Sequence, residues 1–398
     1  MFLELANHNE DLKRLLEKGY AIAEDHGYLV VRDIPYLDSR GNCQKGAIVA
    51  LISDVDGKKV KPHDHQIFFA GSHPHGLDGT PMSGLGGGPA TLALPSSPDV
   101  VVERSFSNKL MEGGTLRDYR DFFEKIENYV HIISGPAVEK YGETPYTHRL
   151  IEAIPTKSVF KFRDTLTSRA LLVDLSARFA DDVVAVIGLG GTGSYVLDFL
   201  VKLSVKEIRG FDFDDFHVHT SYRSPGTLNH ETELGTKKAD VYRSRYESFR
   251  DGLSFEPCYI DAHSLEKLNG VTFGFVCVDK GASRSGIFDL LFSLGIPFID
   301  VGMGLQRTQA QGPIDGTLRA TYYSAQDGPR LRDLNLAELV DDPQDEYRIH
   351  IQTAELNALN AAMAIIKFKQ IRGFYADQDA LNSLTLRVGN IKTVHEAL

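Results

Sequence analysis

Cysteine is almost absent from this chain: three residues in 398, Cys43, Cys258 and Cys277, with no repeated spacing. So few thiols exclude a disulfide framework and a tetrathiolate zinc, and they fit a reducing, cytoplasmic setting. Tryptophan is missing, and no apolar run approaches the ~20 residues of a membrane span. Basic residues are outnumbered, 43 against 54 acidic ones, for a net charge of −11. Nucleic acid is therefore not an expected partner. The opening MFLELANHNEDLKRLLEKG reads as an amphipathic helix rather than a signal peptide. Internal repeats and low-complexity tracts are also lacking.

The length exceeds the usual size of one core, and a hydrophobic content of 42% can fill two. Periodicity breaks across YGETPYTHRLIEAIPTK, near 141–158. The chain is accordingly expected to divide into an N-terminal α+β domain, 1–150, and a larger α/β domain, 158–398.

The larger domain contains the most informative stretch, 183–223. Val183 to Ile187 read as a fully buried parallel strand, because β-branched residues and Ala run without polar alternation. Gly188, Gly190 and Gly193 follow at the spacing used for a tight turn, a phosphate approach and a close helix–strand packing. A helix beginning near Thr192 would aim its N-terminal amides at an anion. EIRGFDF reads as the second strand, and Asp212 stands where a doubly wound sheet places the carboxylate that takes a ribose hydroxyl.

That pattern alone suits a nicotinamide-dependent oxidoreductase, but the residues downstream argue against it. Arg223, Lys237, Lys238, Asp279 and Arg284 follow, with a further strand, GIPFIDVGMG. Hydride transfer leaves the cofactor's pyrophosphate intact and has no use for these charges. Cleavage of a triphosphate does, because cations stabilise the leaving pyrophosphate and an Asp can hold magnesium.

These residues, in this order, resemble the ThiF/MoeB superfamily, which includes the adenylation domains of ubiquitin-activating enzymes. The chain is most similar to bacterial ThiF-type proteins with an N-terminal domain of unknown function. The resemblance implies a Rossmann-like, mostly parallel sheet and the use of MgATP to adenylate the C-terminal glycine carboxylate of a ubiquitin-like protein. It implies that Gly188, Gly190, Gly191 and Gly193 cradle the phosphates, that Asp212 holds the ribose, and that Asp214 lies near the nucleotide. Arg223, Lys238 and Arg284 would serve the triphosphate, Asp279 would bind magnesium, and Arg169 would either reach the partner subunit of a homodimer or stand as a solvated helix charge. Family spacing selects Lys238 over Lys237, since adjacent helical residues point about 100° apart.

Several positions depart from that pattern. Thr220 and Lys280 replace family asparagines, which keeps a decayed nucleotide-binding scaffold as a rival reading. No cysteine lies in 305–350, where ubiquitin-activating enzymes carry a thioester nucleophile, and Cys258 and Cys277 read as core residues. A hydroxyl of Thr321 or Ser324 is the alternative nucleophile, but no base is evident and TLRATYYS reads as an edge strand. The C-terminal TAELNALNAAMAIIKFKQIRG reads as a helix whose Ala- and Asn-rich face suits either a dimer interface or core packing within one subunit.

The first domain offers alternating strands, GYLVVRDIPYL and GAIVALISDV, and a loop-rich patch, GLGGGPATLALPSSPD. His63, His65, His73 and His75 flank one strand, either as zinc ligands or as ordinary polar loop residues. HPH followed by Ser83 resembles the spacing of ubiquitin-conjugating enzymes without their cysteine. A role in gripping the substrate protein or a conjugating-enzyme-like partner is expected of this domain.

Overall fold

The computed structural model describes residues 2–55, 58–149, 151, 158–162, 164, 166–167, 172–309, 311–334, 336–340, 351–389 and 392–396. The chain forms two compact units, one of Met1–Ser158 with Phe162–Ala177, the other of Val159–Lys161 with Arg178–Leu398.

The first unit begins with α1 (Phe2–Asn7) and α2 (Glu10–Lys18), the latter closed by Gly19 in the left-handed region at φ 101°. An antiparallel sheet follows, built from β1 (Ala21–Asp25), β2 (Tyr28–Leu37), β3 (Cys43–Asp54), β4 (Val60–Pro62), β5 (Gln66–Ala70), β6 (Gly88–Pro89) and β7 (Arg104–Ser107). A small hairpin, β8 (Leu110–Glu112) and β9 (Thr115–Arg117), leads into α3 (Phe122–Tyr141). Asp121 caps α3 by accepting the Glu124 amide at 2.8 Å.

β2 and β3 do not alternate between buried and exposed residues as their sequences suggest. Leu29, Val31, Ile48 and Ala50 face a core closed by Leu12, Ile126 and Tyr129. Tyr28, Val30, Val49 and Leu51 on the opposite face are covered by Leu94, Val100 and Val102, with Val173 of α4 (Val173–Ala177). The loop-rich patch is thus a second covering layer, and a strand buried on both faces need not alternate.

In the second unit the sheet order is β12 (Leu253–Glu256), β11 (Glu207–Phe211), β10 (Val183–Ile187), β13 (Phe273–Val276), β14 (Phe298–Arg307), β15 (Ile314–Tyr323), β16 (Ser383–Arg387) and β17 (Lys392–Glu396). The first five are parallel and the last three antiparallel. This is a Rossmann-like, mostly parallel sheet wound on both faces.

One face of that sheet packs α5 (Gly191–Leu200), with Val184, Val186 and Phe275 against Val196 and Leu197. The short α6 (Val218–Ser221) precedes α7 (Lys238–Tyr246), whose Ala239 and Tyr242 join the same core. The other face packs α8 (Gly281–Ser293), where Ile287, Phe288 and Leu291 meet Ala185, Ile187 and Phe298. α9 (Gly328–Arg332) and α10 (Ala354–Ile371) complete the unit. The chain leaves β10 for β11 on one side and returns to β13 on the other, so the sheet's switch point lies at the carboxyl ends of β10 and β13.

One expectation is corrected here and one open alternative is decided. β15 is interior, paired with β14 and β16, because residues 383–387 return to cover the edge. The Ala- and Asn-rich face of α10 packs within the same chain, where Ala361 and Ala364 join the core under α5. Among the described residues no helix is long and apolar enough to cross a membrane.

Candidate active site

A cleft of about 1630 Å³ opens at the switch point. Its rear wall is the turn after β10. Gly188 adopts φ 92° and donates its amide to the Phe211 carbonyl at 2.8 Å. A side chain there would be strained and would meet the Cys277 carbonyl. Gly193 packs hardest of the four glycines: a Cβ on it would fall 1.9 Å from the Gly188 carbonyl oxygen. Gly190 is the opposite case, with open space where its side chain would be.

The glycines therefore divide by role. Gly188 and Gly193 let strand and helix backbones meet, while Gly190 leaves room for a ligand group. Gly191 lines the cleft but answers a different demand, because a Cβ there would strike Asn357 Nδ2 and Gln352 Oε1. The first turn of α5 closes with Ser194 N–H bonding Gly190 O at 2.9 Å. That leaves the amides of Gly191, Thr192 and Gly193 without an intrahelical acceptor, which is an anion-binding arrangement.

Asp212 follows β11 and is 9% exposed. Its carboxylate accepts the Leu189 amide at 2.7 Å and the Asp214 amide at 2.9 Å, which braces the glycine turn against the second strand. Burial pushes its pKa above the ordinary range, more than Lys238 and the two amides pull it down. Lys238 Nζ lies 3.5 Å from Asp212 Oδ1 and 2.7 Å from Asp214 Oδ2, in a side chain 6% exposed. Lys237 points elsewhere, to the Phe213 carbonyl and to Asp215, both at 2.8 Å.

Arg223 and Asp279 reach the same cleft from different loops. The Arg223 backbone carbonyl accepts from Asn357 Nδ2 at 3.1 Å, and its Nε is buried without a hydrogen-bond partner. Asp279 lies exposed beyond β13, with Lys280 beside it as the N-cap of α8, and no partner is recorded for the Asp279 carboxylate among the described residues. Arg284 lines the cleft, yet its guanidinium is held by Val278 O, by Glu338 O and by Asp300. Thr220 is wholly buried and its hydroxyl accepts the His217 amide. Arg169 lies outside the described residues.

Several residues of the site were not anticipated. Asn357 of α10 is wholly buried and ties two walls together, accepting from Thr192 Oγ1 at 2.9 Å and donating to Arg223 O. The signal for it was two asparagines, Asn357 and Asn360, one turn apart in an Ala-rich helix. Asp300 and Arg319, on the strands that extend the sheet, carried no motif at all.

Cys258 and Cys277, read as core residues, each pack half-buried against a hydrophobic core and also line the cleft, because each lies just past the end of a parallel strand. Burial raises both thiols, so neither is a ready thiolate. Thr321 is wholly buried, bonded to Ser383 Oγ at 3.0 Å and to Arg319, which removes it as a nucleophile. Ser324 instead accepts the Asp327 amide ahead of α9.

In the first unit, each of the four histidines has a nearby polar partner. His63 pairs with Ser53 Oγ, His65 with Ser107 Oγ, His73 with the Met82 carbonyl and His75 with the His73 carbonyl. Among the described residues no group of three or more potential ligands could hold a metal. Ser83 is exposed and opens a 3-10 turn, Ser83–Leu85, whose preceding carbonyl is the one His73 holds.

Open space at Gly190, a buried acid–lysine pair and a cleft at the carboxyl edge of the sheet lie together on a Rossmann-like fold. The chain carries a ThiF family domain, matched over residues 168–347, behind a domain of unknown function (DUF6791) matched over 10–165. Similar solved structures include selenomethionine PaaA, at 15% identity over 57% of this chain and 67% of that one, with a TM-score of 0.44. Escherichia coli MccB with AMPCPP and MccA is similar at 17% identity over 58% and 70%, TM-score 0.43. The same enzyme with ATP gives 16% identity over 56% and 66%, TM-score 0.39. No curated protein matches the chain.

Proposed function

We propose that the second unit is an ATP-dependent adenylyltransferase that activates the C-terminal glycine carboxylate of a ubiquitin-like protein. The observation that carries this reading is the pairing of an open Gly190 with the buried Asp212–Lys238 pair, with exposed Asp214 bonded to the same lysine, on one cleft. A nicotinamide site needs the glycines and Asp212, but not a buried lysine with Arg223 beside it.

In this reading the α5 amides and Gly190 receive the phosphates, and Asp212 accepts a ribose hydroxyl. Lys238 and Arg223 offset charge as the substrate carboxylate bonds to the α-phosphorus and the bond to the bridging oxygen breaks, releasing pyrophosphate. Asp279 suits magnesium, being an exposed carboxylate on the cleft with no hydrogen-bond or ion-pair partner among the described residues. Magnesium, when bound, would neutralise phosphate charge. The first unit would grip the substrate protein or a conjugating-enzyme-like partner, and Arg169 would act across a homodimer, in a cytoplasmic setting.

Pyrophosphate exchange into ATP tests the reading, with magnesium and a ubiquitin-like partner ending in glycine. Exchange should need the partner and disappear in Asp279→Ala. Tight ATP binding without exchange would instead favour a decayed scaffold.

A further inference from the structure

The floor of the cleft is laid down where the sheet outruns its parallel half. β13 stops at Val276, which pairs with Asp300, whereas β14 continues to Arg307 against β15 alone. Alternate residues of one strand share a face. Asp300, Gly302 and Gly304 of β14 therefore lie beside Thr321, Arg319 and Thr317 of β15, and Thr385 of β16 follows opposite Arg319. The reverse face, with Ile299, Val301 and Ala320, is closed core under α10. The first face begins as core, with Phe298 stacked on Tyr323 at 5.0 Å, and turns polar at Asp300. It opens into the cleft at Gly302, Gly304, Thr317, Arg319 and Thr385.

Asp300 is wholly buried between two arginines, with Arg284 Nε 3.1 Å from Oδ1 and Arg319 Nη2 bonded to Oδ2. Two cations around one anion leave one positive charge in excess at the floor. The two hydrogen bonds of the Arg284 guanidinium go to backbone carbonyls, and its contact with Asp300 is an ion pair. Arg319 makes one further bond, Nη1 to Thr321 Oγ1 at 2.8 Å, so the described bonds use two of its five N–H donors. Gly302 makes room for this: a Cβ there would fall 2.8 Å from Arg319 Nη2. The guanidinium thus lies across the strand at a position that has no side chain.

We propose that Arg319 binds the terminal carboxylate of the acyl substrate, with Asp300 as its positioning residue, and that the Gly302–Gly304 floor receives an extended tail of small residues. The proposal deepens the adenylation reading and rests on it only in identifying the anion as a substrate carboxylate. Register supports the placement, since Asp300 pairs with Val276, three residues before Asp279 on the neighbouring strand. A guanidinium matches a carboxylate with two parallel hydrogen bonds. One already held by a buried partner loses little rotamer freedom when it binds. The other carboxylates lining the cleft after parallel strands, at Asp212, Asp214, Asp261 and Asp279, come from loops beyond β11, β12 and β13 rather than from this face.

The test uses the full chain and the smallest probes that carry the chemistry, N-acetylglycine and N-acetylglycinamide, followed by ligand-observed NMR with and without ATP. The native protein should bind the carboxylate at least tenfold better than the amide. Arg319→Gln should abolish that preference, Arg319→Lys should leave part of it, and Asp300→Asn should weaken it while Arg319 is still present. The thermal midpoint of Arg319→Gln should fall, since buried Asp300 then keeps only Arg284, while its ATP affinity well below that midpoint should stay near native, which separates lost recognition from lost folding. Equal binding of the two probes to native protein, or an unchanged preference in Arg319→Gln, overturns the assignment. Failure of ATP to bind would sink the adenylation reading, while the carboxylate preference would still decide the role of Arg319.

Discussion

Gly193 and Gly188 meet backbone to backbone: a Cβ on Gly193 would lie 1.9 Å from the Gly188 carbonyl oxygen, closer than any relaxed packing allows. Gly190, between them, faces open space. Gly193→Ala should therefore destabilise the second unit by ~1–3 kcal/mol or more, seen as an earlier denaturant midpoint. Gly190→Ala should leave that midpoint near native yet weaken ATP binding at least tenfold, because the methyl occupies ligand space.

Lys238 offsets part of the burial cost of Asp212, whose pKa lies above the usual carboxylate range. If an ionised Asp212 accepts the ribose hydroxyl, ATP affinity should fall as pH drops through that raised pKa, beginning at a higher pH than for a free Asp. In Lys238→Met the fall should begin at a higher pH still. Exchange at neutral pH should drop ~10²–10³-fold. Affinity measured by nucleotide fluorescence from pH 4 to 8 checks both shifts.

Asn357 joins Thr192 of α5 to the Arg223 carbonyl. Asn357→Ala leaves both of those groups without this partner and should cost ~1–3 kcal/mol. The second unit should melt earlier, and its affinity for ATP should fall with it. A thermal midpoint equal to that of the native protein would contradict the bridging role.

Lys125, buried in α3, bonds the Asp64 carbonyl at 2.9 Å, with the Asp64 and Asp118 carboxylates as its nearest charges. Burial pushes its pKa down to about 8 from 10.5. Between those values the unfolded chain binds the proton and the folded one does not, so stability should rise with pH by up to about 1.4 kcal/mol per unit. Below pH 8 both states are charged and this contribution is flat. Lys125→Met should remove the rise, so the native protein should gain ~2–3 kcal/mol on the variant between pH 7 and 10 in urea titrations.

Much of the second unit was legible in the chain. β10 could be read because a parallel strand covered on both faces must be apolar throughout, and the glycine spacing after it reflects a turn that few other residues can make. A helix turns about 100° per residue, so only one of Lys237 and Lys238 should face the site, and the family's spacing selected Lys238. The same logic failed for β15, whose Thr321 and Tyr323 read as an exposed edge, because the strand that covers it arrives some sixty residues later. That the two core-packed cysteines also reach the cleft was hidden for a related reason. An apolar neighbourhood in sequence does not reveal that a parallel strand ends one or two residues earlier, at the mouth of the cleft.

The sequence by itself determined the class of sheet, the order of its nucleotide-type motifs and the candidates Asp212, Arg223, Lys238 and Asp279, since each depends on local spacing or backbone freedom. Only the tertiary structure decided that Gly191 answers to Asn357, that Arg284 is held by Asp300, and that Arg319, bonded to Asp300 and Thr321, lies across Gly302. Those pairings join residues far apart in the chain, and their partners are chosen by strand register and helix docking, which no local pattern encodes.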